Sequence, residues 1–403
     1  PGTIADGTNF DVTCDHYHRY PEDIRNMVRL GINGYRFSFS WSRIFPEGIG
    51  TVNQKGVDFY KRLLEELHKN NIQPNATLYH WDLPYELERM GGWLNRDCAD
   101  WFAQYADYMF RTFGKDIPLW STLNEPIATY VGYGLGGFAP GRKLERFGRE
   151  ACHNMLRGHG KAVDAFHADT GSSSEIGIVV DIWHRHPKDP ENPADVNLAQ
   201  DENELNYLAY LNPVFRGHYS DRFLELLEQQ NVLPDIRPGD LEQISRPIDF
   251  YGLNCYNRVV VSAHDTAAVQ TEQAGGNFLD NGSEYYPKAV YDAIHLIRDE
   301  FGVKLPIYIT ENGKFNCNET PVDGQIHDSD RIRYIQGFLE WIERAIDEGE
   351  DIRGYYLWSL MDNMEWSAGR TMRYGIMHTD FATGERTFKD SAYWYRDYIS
   401  KNR

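Results

Sequence analysis

Three observations predict an α/β fold built on a parallel sheet. Strand-like runs alternate with amphipathic helical runs almost from end to end of the 403 residues. Connections of that kind make parallel β-α-β units with right-handed crossovers. Seven strands are readable, one short of a closed eight-stranded barrel. The competing fold, a doubly wound open sheet, lacks the G-x-G-x-x-G or G-x-x-x-x-G-K-[ST] stretch that would support nucleotide binding. The expected architecture is a (β/α)8 TIM barrel short of one strand. No linker or composition shift divides the chain, so residues 1–403 are expected to form a single domain.

The strands are expected at Asn33–Trp41, Ile72–Trp81, Leu119–Glu125, Glu175–Asp181, Asp249–Asn257, Pro306–Glu311 and Ile352–Leu360. Each is short, apolar and bounded by turn formers, as fully buried parallel strands are. Between them, Val57–Asn70 sets Phe59, Leu63, Leu64 and Leu67 on one helical face. Asp97–Phe113, Glu150–Thr170, Asn203–Leu211 and Asp330–Glu348 read similarly. Pro287–Phe301 opens on proline and stops before Gly302, as helices tend to. The polar segment Ala263–Ser283 reads as a long surface loop.

Composition narrows the function. The net charge is −19, with 41 Lys and Arg against 60 Asp and Glu. An acidic surface argues against nucleic acid and against anionic membranes. No apolar run approaches the roughly 20 residues that span a bilayer. Ten Trp and 26 Tyr exceed what a core needs and suit a site that stacks flat apolar faces. The five cysteines are odd in number, scattered and without a CxxC pair, so neither a disulfide framework nor a thiolate zinc site is expected. His16, His18, His184 and His186 lack an HExxH context or suitably spaced partners; no metal is expected.

Two strands end on a carboxylate. Ile307-Tyr308-Ile309-Thr310-Glu311 is β-branched and aromatic, and Asn312-Gly313 turns the chain away. Thr122-Leu123-Asn124-Glu125 closes likewise, with Pro126 forcing the chain out of pairing. In a barrel, the C-terminal strand ends converge on one face, where chemistry is done. Paired carboxyls about 5–5.5 Å apart serve retaining glycoside hydrolysis, and wider pairs serve inversion. A satisfied carboxylate beside a turn is the plain structural alternative for either residue alone.

The chain resembles family 1 glycoside hydrolases, the β-glucosidase family. The matching stretches are Tyr35-Arg36-Phe37-Ser38-Phe39-Ser40-Trp41, Tyr79-His80-Trp81-Asp82-Leu83-Pro84, Thr122-Leu123-Asn124-Glu125-Pro126, Ile309-Thr310-Glu311-Asn312-Gly313 and Leu357-Trp358-Ser359-Leu360-Met361-Asp362-Asn363, followed by Glu365-Trp366. Any one could arise by chance; five in order are specific. The resemblance implies that Glu311 is the nucleophile and Glu125 the acid/base. It implies Arg36 as a cation beside the nucleophile, Asn124 as holder of the sugar 2-hydroxyl, with Asn254 as catalytic support. Tyr256 would hydrogen-bond the nucleophile, and His80 and Trp81 would bind sugar hydroxyls. Trp358 would be the platform under the ring, and Glu365 and Trp366 would take the 4- and 6-hydroxyls. Glu125 should hold a proton near neutral pH. Taken singly, His80 and Trp81 could be a strand-end core pair, Arg36 a structural ion pair, and Trp358 and Trp366 packing. No cofactor is required by this chemistry.

Three departures stand out against the family pattern. The Phe-Leu-Trp-Gly-like and Gln-Ile-Glu-Gly-like runs that normally open the barrel are absent, and the chain starts in Pro1-Gly2-Thr3-Ile4-Ala5-Asp6-Gly7. The expected barrel is therefore incomplete at its N-terminus and lacks the glutamine that grips the sugar. The preferred explanation is a truncated form with lowered activity, which an intact mass well above that of 403 residues would contradict. Ile127 stands where many relatives carry Trp, which leaves a smaller wall on the leaving-group side. Glu365 is retained and Met372 precedes Arg373-Tyr374, so a carboxylate faces the 6-position and an unphosphorylated sugar is expected.

The reading is thus a retaining β-glycosidase acting on β-glucosides, with β-galactosides and β-fucosides within range. Its partner is a small glycoside rather than nucleic acid or membrane, homo-oligomers are left open, and the expected location is the cytoplasm. The alternative is a catalytically weak sugar-binding barrel, whose pocket persists without the missing glutamine.

Overall fold

The structure is a computed structural model, and it describes residues 3–168, 173–264, 277–317 and 319–402. Seven strands form one parallel sheet in chain order. They are β1 (Gly34–Ser38), β2 (Gln73–Tyr79), β3 (Leu119–Asn124), β4 (Glu175–Asp181), β5 (Phe250–Asn254), β6 (Ile307–Asn312) and β7 (Ile352–Leu357). Neighbours pair in parallel throughout, from β1 on β2 to β6 on β7. The sheet curls into a nearly closed barrel, and no hydrogen-bonded pairing joins β1 to β7. Between those two strands lies a cavity of about 480 Å³, reaching Tyr35, Phe37, Tyr356 and Trp358.

β3, β5 and β6 are buried along their whole length, as strands covered on both faces must be. Helices form the outer layer. Gln54–Lys69 turns Phe59, Leu63, Leu64 and Leu67 inward, as its spacing predicts. Each such leucine contributes roughly 1.5–3 kcal/mol by leaving water. The helix Cys98–Phe113 packs on Glu145–Ala168 where Gly158 admits Phe102 and Trp93. Trp41, Trp93 and Trp120 lie wholly inside, with Trp41 stacked on Tyr105 at 4.9 Å.

Period-2 alternation decides what faces the barrel interior. A side chain at Gly252 of β5 would meet Val179 of β4 and Thr310 of β6. Val179, Gly252 and Thr310 therefore converge on the axis. Asp181 and Asn254, each two residues further on, point the same way at the upper mouth, and they are partners in register.

The expected strands are present: β4 spans Glu175–Asp181 as expected, β6 starts one residue later and runs one further to Asn312, and the others are trimmed by up to three residues at an end. Tyr256 lies beyond β5, and Trp358 beyond β7. The expected single helix over Asn203–Leu211 is corrected: Pro193–Asn203 and Ala209–Arg216 are α-helices joined by a π-turn over Glu204–Leu208. A helix not foreseen, His16–Arg29, carries Pro21 in its second turn. Most of the expected loop Ala263–Ser283 lies outside the described residues; Phe278 and Glu284 bridge at its end. Among the described residues no helix is long and apolar enough to cross a membrane.

Candidate active site

Strands β1, β3, β5 and β6 bring five side chains within hydrogen-bonding reach. Glu311, 4% exposed, is the penultimate residue of β6. Arg36 of β1 donates through Nη1 to Glu311 Oε1 at 2.7 Å and through Nη2 to Asn124 Oδ1 at 2.6 Å. Asn254 Nδ2 donates to Asn124 Oδ1 at 3.2 Å and to Glu125 Oε1 at 2.6 Å. Thr310 Oγ1 donates to Asn254 Oδ1 at 2.7 Å and so fixes which face of the amide points at Glu125. The two glutamates are thus joined by one hydrogen-bonded chain, Glu311–Arg36–Asn124–Asn254–Glu125. Tyr256 donates its phenol hydrogen to Glu311 Oε2 at 2.6 Å.

The two carboxyls have unlike surroundings. Glu311 has a cation on one oxygen and a phenol on the other. Glu125 has only an amide donor, and its proton affinity is pushed well above the carboxylate range. Burial is the main cause, followed by the negative charges of Asp181 and Glu311. Glu125 therefore suits proton donation near neutral pH.

Aromatic rings form one wall. Trp81 and Trp366 lie 4.8 Å apart, and His80 stacks against Trp358 and Trp366 at 6.1 Å each. His80 Nε2 lies 3.3 Å from Asn124 Nδ2. Burial lowers the imidazole to about 4, so His80 is neutral across the working range. The Trp81 indole N–H, expected to meet a sugar hydroxyl, donates instead to the Asn124 carbonyl at 2.8 Å. Glu365 is raised to about 7 by burial and then by Glu311, against a hydrogen bond from Trp358.

Backbone strain gathers here. Trp81 (φ 81°), Glu125 (φ 45°) and Trp366 (φ 43°) all sit in the left-handed region, where side chains other than Gly, Asn or Asp are uncommon. Gly313 lets the end of β6 run against Trp358; a Cβ there would lie 1.8 Å from the Trp358 carbonyl oxygen.

The family model described as "Glycosyl hydrolase family 1" matches residues 1–403. The chain belongs to glycosyl hydrolase family 1. It is 42% identical over 409 residues to "Beta-glucosidase A" of Acetivibrio thermocellus, covering 100% of this chain and 90% of that one. It is 40% identical over 406 residues to "1,4-beta-D-glucan glucohydrolase" of Thermotoga neapolitana, with the same two coverages, 100% and 90%. The solved family 1 β-glucosidase of Thermotoga maritima superposes with a TM-score of 0.93 at 39% identity, over 100% of this chain and 90% of that chain. A glucoimidazole complex of the Thermotoga maritima enzyme gives 0.94 at 39% identity, over 100% of this chain and 91% of that one.

Of the eleven residues assigned from the sequence of this glycoside hydrolase, ten lie at the end of a barrel strand or in the loop that follows it, and Arg36 lies in the middle of β1. Two residues of the site were missed. Tyr374 lies in the field of Glu365, Glu311 and Glu125. Asp181 acts on Glu125 from β4, and its signal was in the sequence: the expected strand Glu175–Asp181, like Leu119–Glu125 and Pro306–Glu311, ends on a carboxylate. Of the histidines weighed as metal ligands, His16 bonds to Asp23 at 2.8 Å, His18 to Asp15 at 2.7 Å and His184 to Tyr207 at 2.7 Å, while His186 lies edge-on to the His184 ring at 4.8 Å. Glu319, Asp362 and His378 lie close enough for a metal, but the Lys389 ammonium bonds both Glu319 and Asp362, and Arg373 donates to Asp362 at 2.8 Å.

Proposed function

We propose that this chain hydrolyses unphosphorylated β-glucosides with retention of configuration, and takes β-galactosides and β-fucosides also. The observation that carries the reading is the hydrogen-bonded chain from Glu311 through Arg36, Asn124 and Asn254 to Glu125. It holds one carboxyl beside a cation and the other under conditions that keep its proton.

A Glu311 oxygen attacks the anomeric carbon while Glu125 gives its proton to the departing glycosidic oxygen. The C–O bond to the aglycone breaks, and a glycosyl ester forms on Glu311. That ester is neutral, so one of the charges holding the proton on Glu125 is gone. Glu125 now accepts a proton from water, water attacks the anomeric carbon, and Glu311 leaves as carboxylate. Asn124 holds the 2-hydroxyl, Tyr256 steadies the nucleophile, and Trp358 lies under the ring. His80, Glu365 and Trp366 take the remaining hydroxyls, and Trp81 contributes its ring, since its N–H is engaged. Glu365 would repel a phosphate at the 6-position.

We take residues 1–403 to act as one domain, and the 480 Å³ cavity between β1 and β7 as the space that a further strand would fill. Five unpaired thiols, four of them buried, favour a reducing compartment such as the cytoplasm. The test is a 2-fluoroglucoside with a good leaving group, followed by peptide mapping. Labelling at Glu311 is expected. Labelling elsewhere, or saturable glucose binding with no label and no turnover, overturns the reading.

A further inference from the structure

The hollow beside the glutamate pair holds a third carboxylate. Asp181 ends β4, faces the barrel mouth by the alternation set by Val179, and is in register with Asn254, the donor to Glu125. The Glu125 amide is itself bonded to the carbonyl of Val179 at 2.9 Å, which draws the end of β3 toward β4. Asp181 lines a cavity of about 370 Å³ with Ile127, Trp183, Arg185 and Tyr207. Ile127 is two residues past Glu125, so this cavity opens on the leaving-group side of the acid. Among the described residues no other side chain bonds to the Asp181 carboxylate; its own backbone amide is the donor it has. A carboxylate buried without an ion-pair partner is costly unless its charge is used.

We propose that Asp181 is a positioning residue for the proton of Glu125: its negative charge keeps that proton in place and sets the alkaline end of the working pH range. The inference rests on Glu125 being the acid/base.

The charged groups around the pair bear this out. Glu125 faces Asp181 from β4, Glu311 from β6 and Arg36 from β1, and the amide of Asn254 from β5. Asp181 faces Glu125, Glu311 and Arg185, and Arg185 is itself shared with Glu202 at 3.4 Å. The phenols of Tyr207, Tyr210 and Tyr251 and the thiol of Cys255 nearby are all raised by burial and stay neutral. Burial pushes Asp181 up to about 6, opposed by its own amide and by Arg185; Glu125 is raised well above its ordinary value by burial and then by the charge of Asp181, while Glu125 has no such effect on Asp181. As pH falls, the first proton of the pair goes to Glu125 while Asp181 is still charged. At neutral pH the pair therefore holds one proton on the acid and one charge beside it. Titrations this close are linked.

The test is the pH profile of kcat/KM for cellobiose in Asp181→Asn. With the neighbouring charge removed, Glu125 loses its proton earlier. The alkaline limb is expected to move down by roughly one pH unit, a tenfold loss on that side. The acid limb should stay in place. An unmoved alkaline limb in a folded, active variant overturns the proposal, as does a loss uniform across pH, which a merely structural role would give. Infrared titration of the carboxyl stretch gives a second reading that does not depend on Asp181→Asn folding. In the unsubstituted protein Asp181 is expected to ionise while Glu125, assigned by the band lost in Glu125→Gln, still holds its proton, and the reverse order overturns the linkage. If Glu125→Gln instead kept full activity, the acid/base reading would fail, an outcome distinct from either of these.

Discussion

Tyr256 and Glu311 meet through a 2.6 Å hydrogen bond, on the carboxylate oxygen that Arg36 leaves open. The bond fixes the plane of the carboxylate and so the line of attack. A hydrogen bond to a charged group contributes about 1.5–3 kcal/mol. Tyr256→Phe is therefore expected to lower kcat/KM for p-nitrophenyl β-glucoside by about 10- to 100-fold with an unchanged melting temperature. A loss under about threefold would show that Arg36 alone orients Glu311.

Removal of each glutamate has its own signature. Glu311→Ala should abolish retaining turnover, and azide should restore activity with an inverted glycosyl azide, since azide enters the space of the lost carboxylate. In Glu125→Ala, azide should instead give the retained product by attacking the ester on Glu311. Proton NMR of the anomeric products distinguishes them. Retained azide from Glu311→Ala would remove Glu311 as nucleophile.

Glu365, raised to about 7, links sugar binding to pH. Above 7 the carboxylate accepts hydrogen bonds from two hydroxyls; below, it carries a proton and accepts fewer. KM for β-glucosides should therefore fall as pH rises through about 7, and Glu365→Gln should remove that step. Cellobiose-6-phosphate should be cleaved more slowly than cellobiose, because the ionised Glu365 meets a phosphate.

The Lys389–Asp362 pair carries a stability prediction. Burial alone would raise Asp362, but the hydrogen bond from His378 and the charge of Lys389 outweigh it, and the carboxyl is held far below the usual range. A depressed carboxylate stabilises the fold above its unfolded value of about 4 and loses that contribution as pH falls through its folded value. The denaturant midpoint should thus drop steadily below about pH 4, and less steeply in Asp362→Asn. Lys389→Met, which removes the cation shared by Glu319 and Asp362 and leaves them to Arg331 and Arg373, should cost about 3–5 kcal/mol by urea unfolding.

Much of the barrel was legible because its strands are buried on both faces. Runs such as Ile307–Asn312 leave no other reading for so apolar a stretch between turn formers. The helix His16–Arg29 was not, because Pro21 reads as a break, although the turn around it packs well enough to carry a missing N–H. The π-turn over Glu204–Leu208 was hidden for a similar reason: periodicity counts residues per turn and cannot register one extra.

By itself the sequence singled out the two strand-end carboxylates proposed for catalysis, the residue types around them and the parallel order of the strands, because these follow from local pattern and motif. The resemblance assigned the proton to Glu125, but only the tertiary structure supplied the physical cause. That cause lies in Arg36 reaching Glu311 from β1, in Asn254 being the one donor to the Glu125 carboxyl among the described residues, and in Asp181 arriving from a third strand. Coulomb interactions act through space between elements far apart in the chain, and no local pattern encodes their distances.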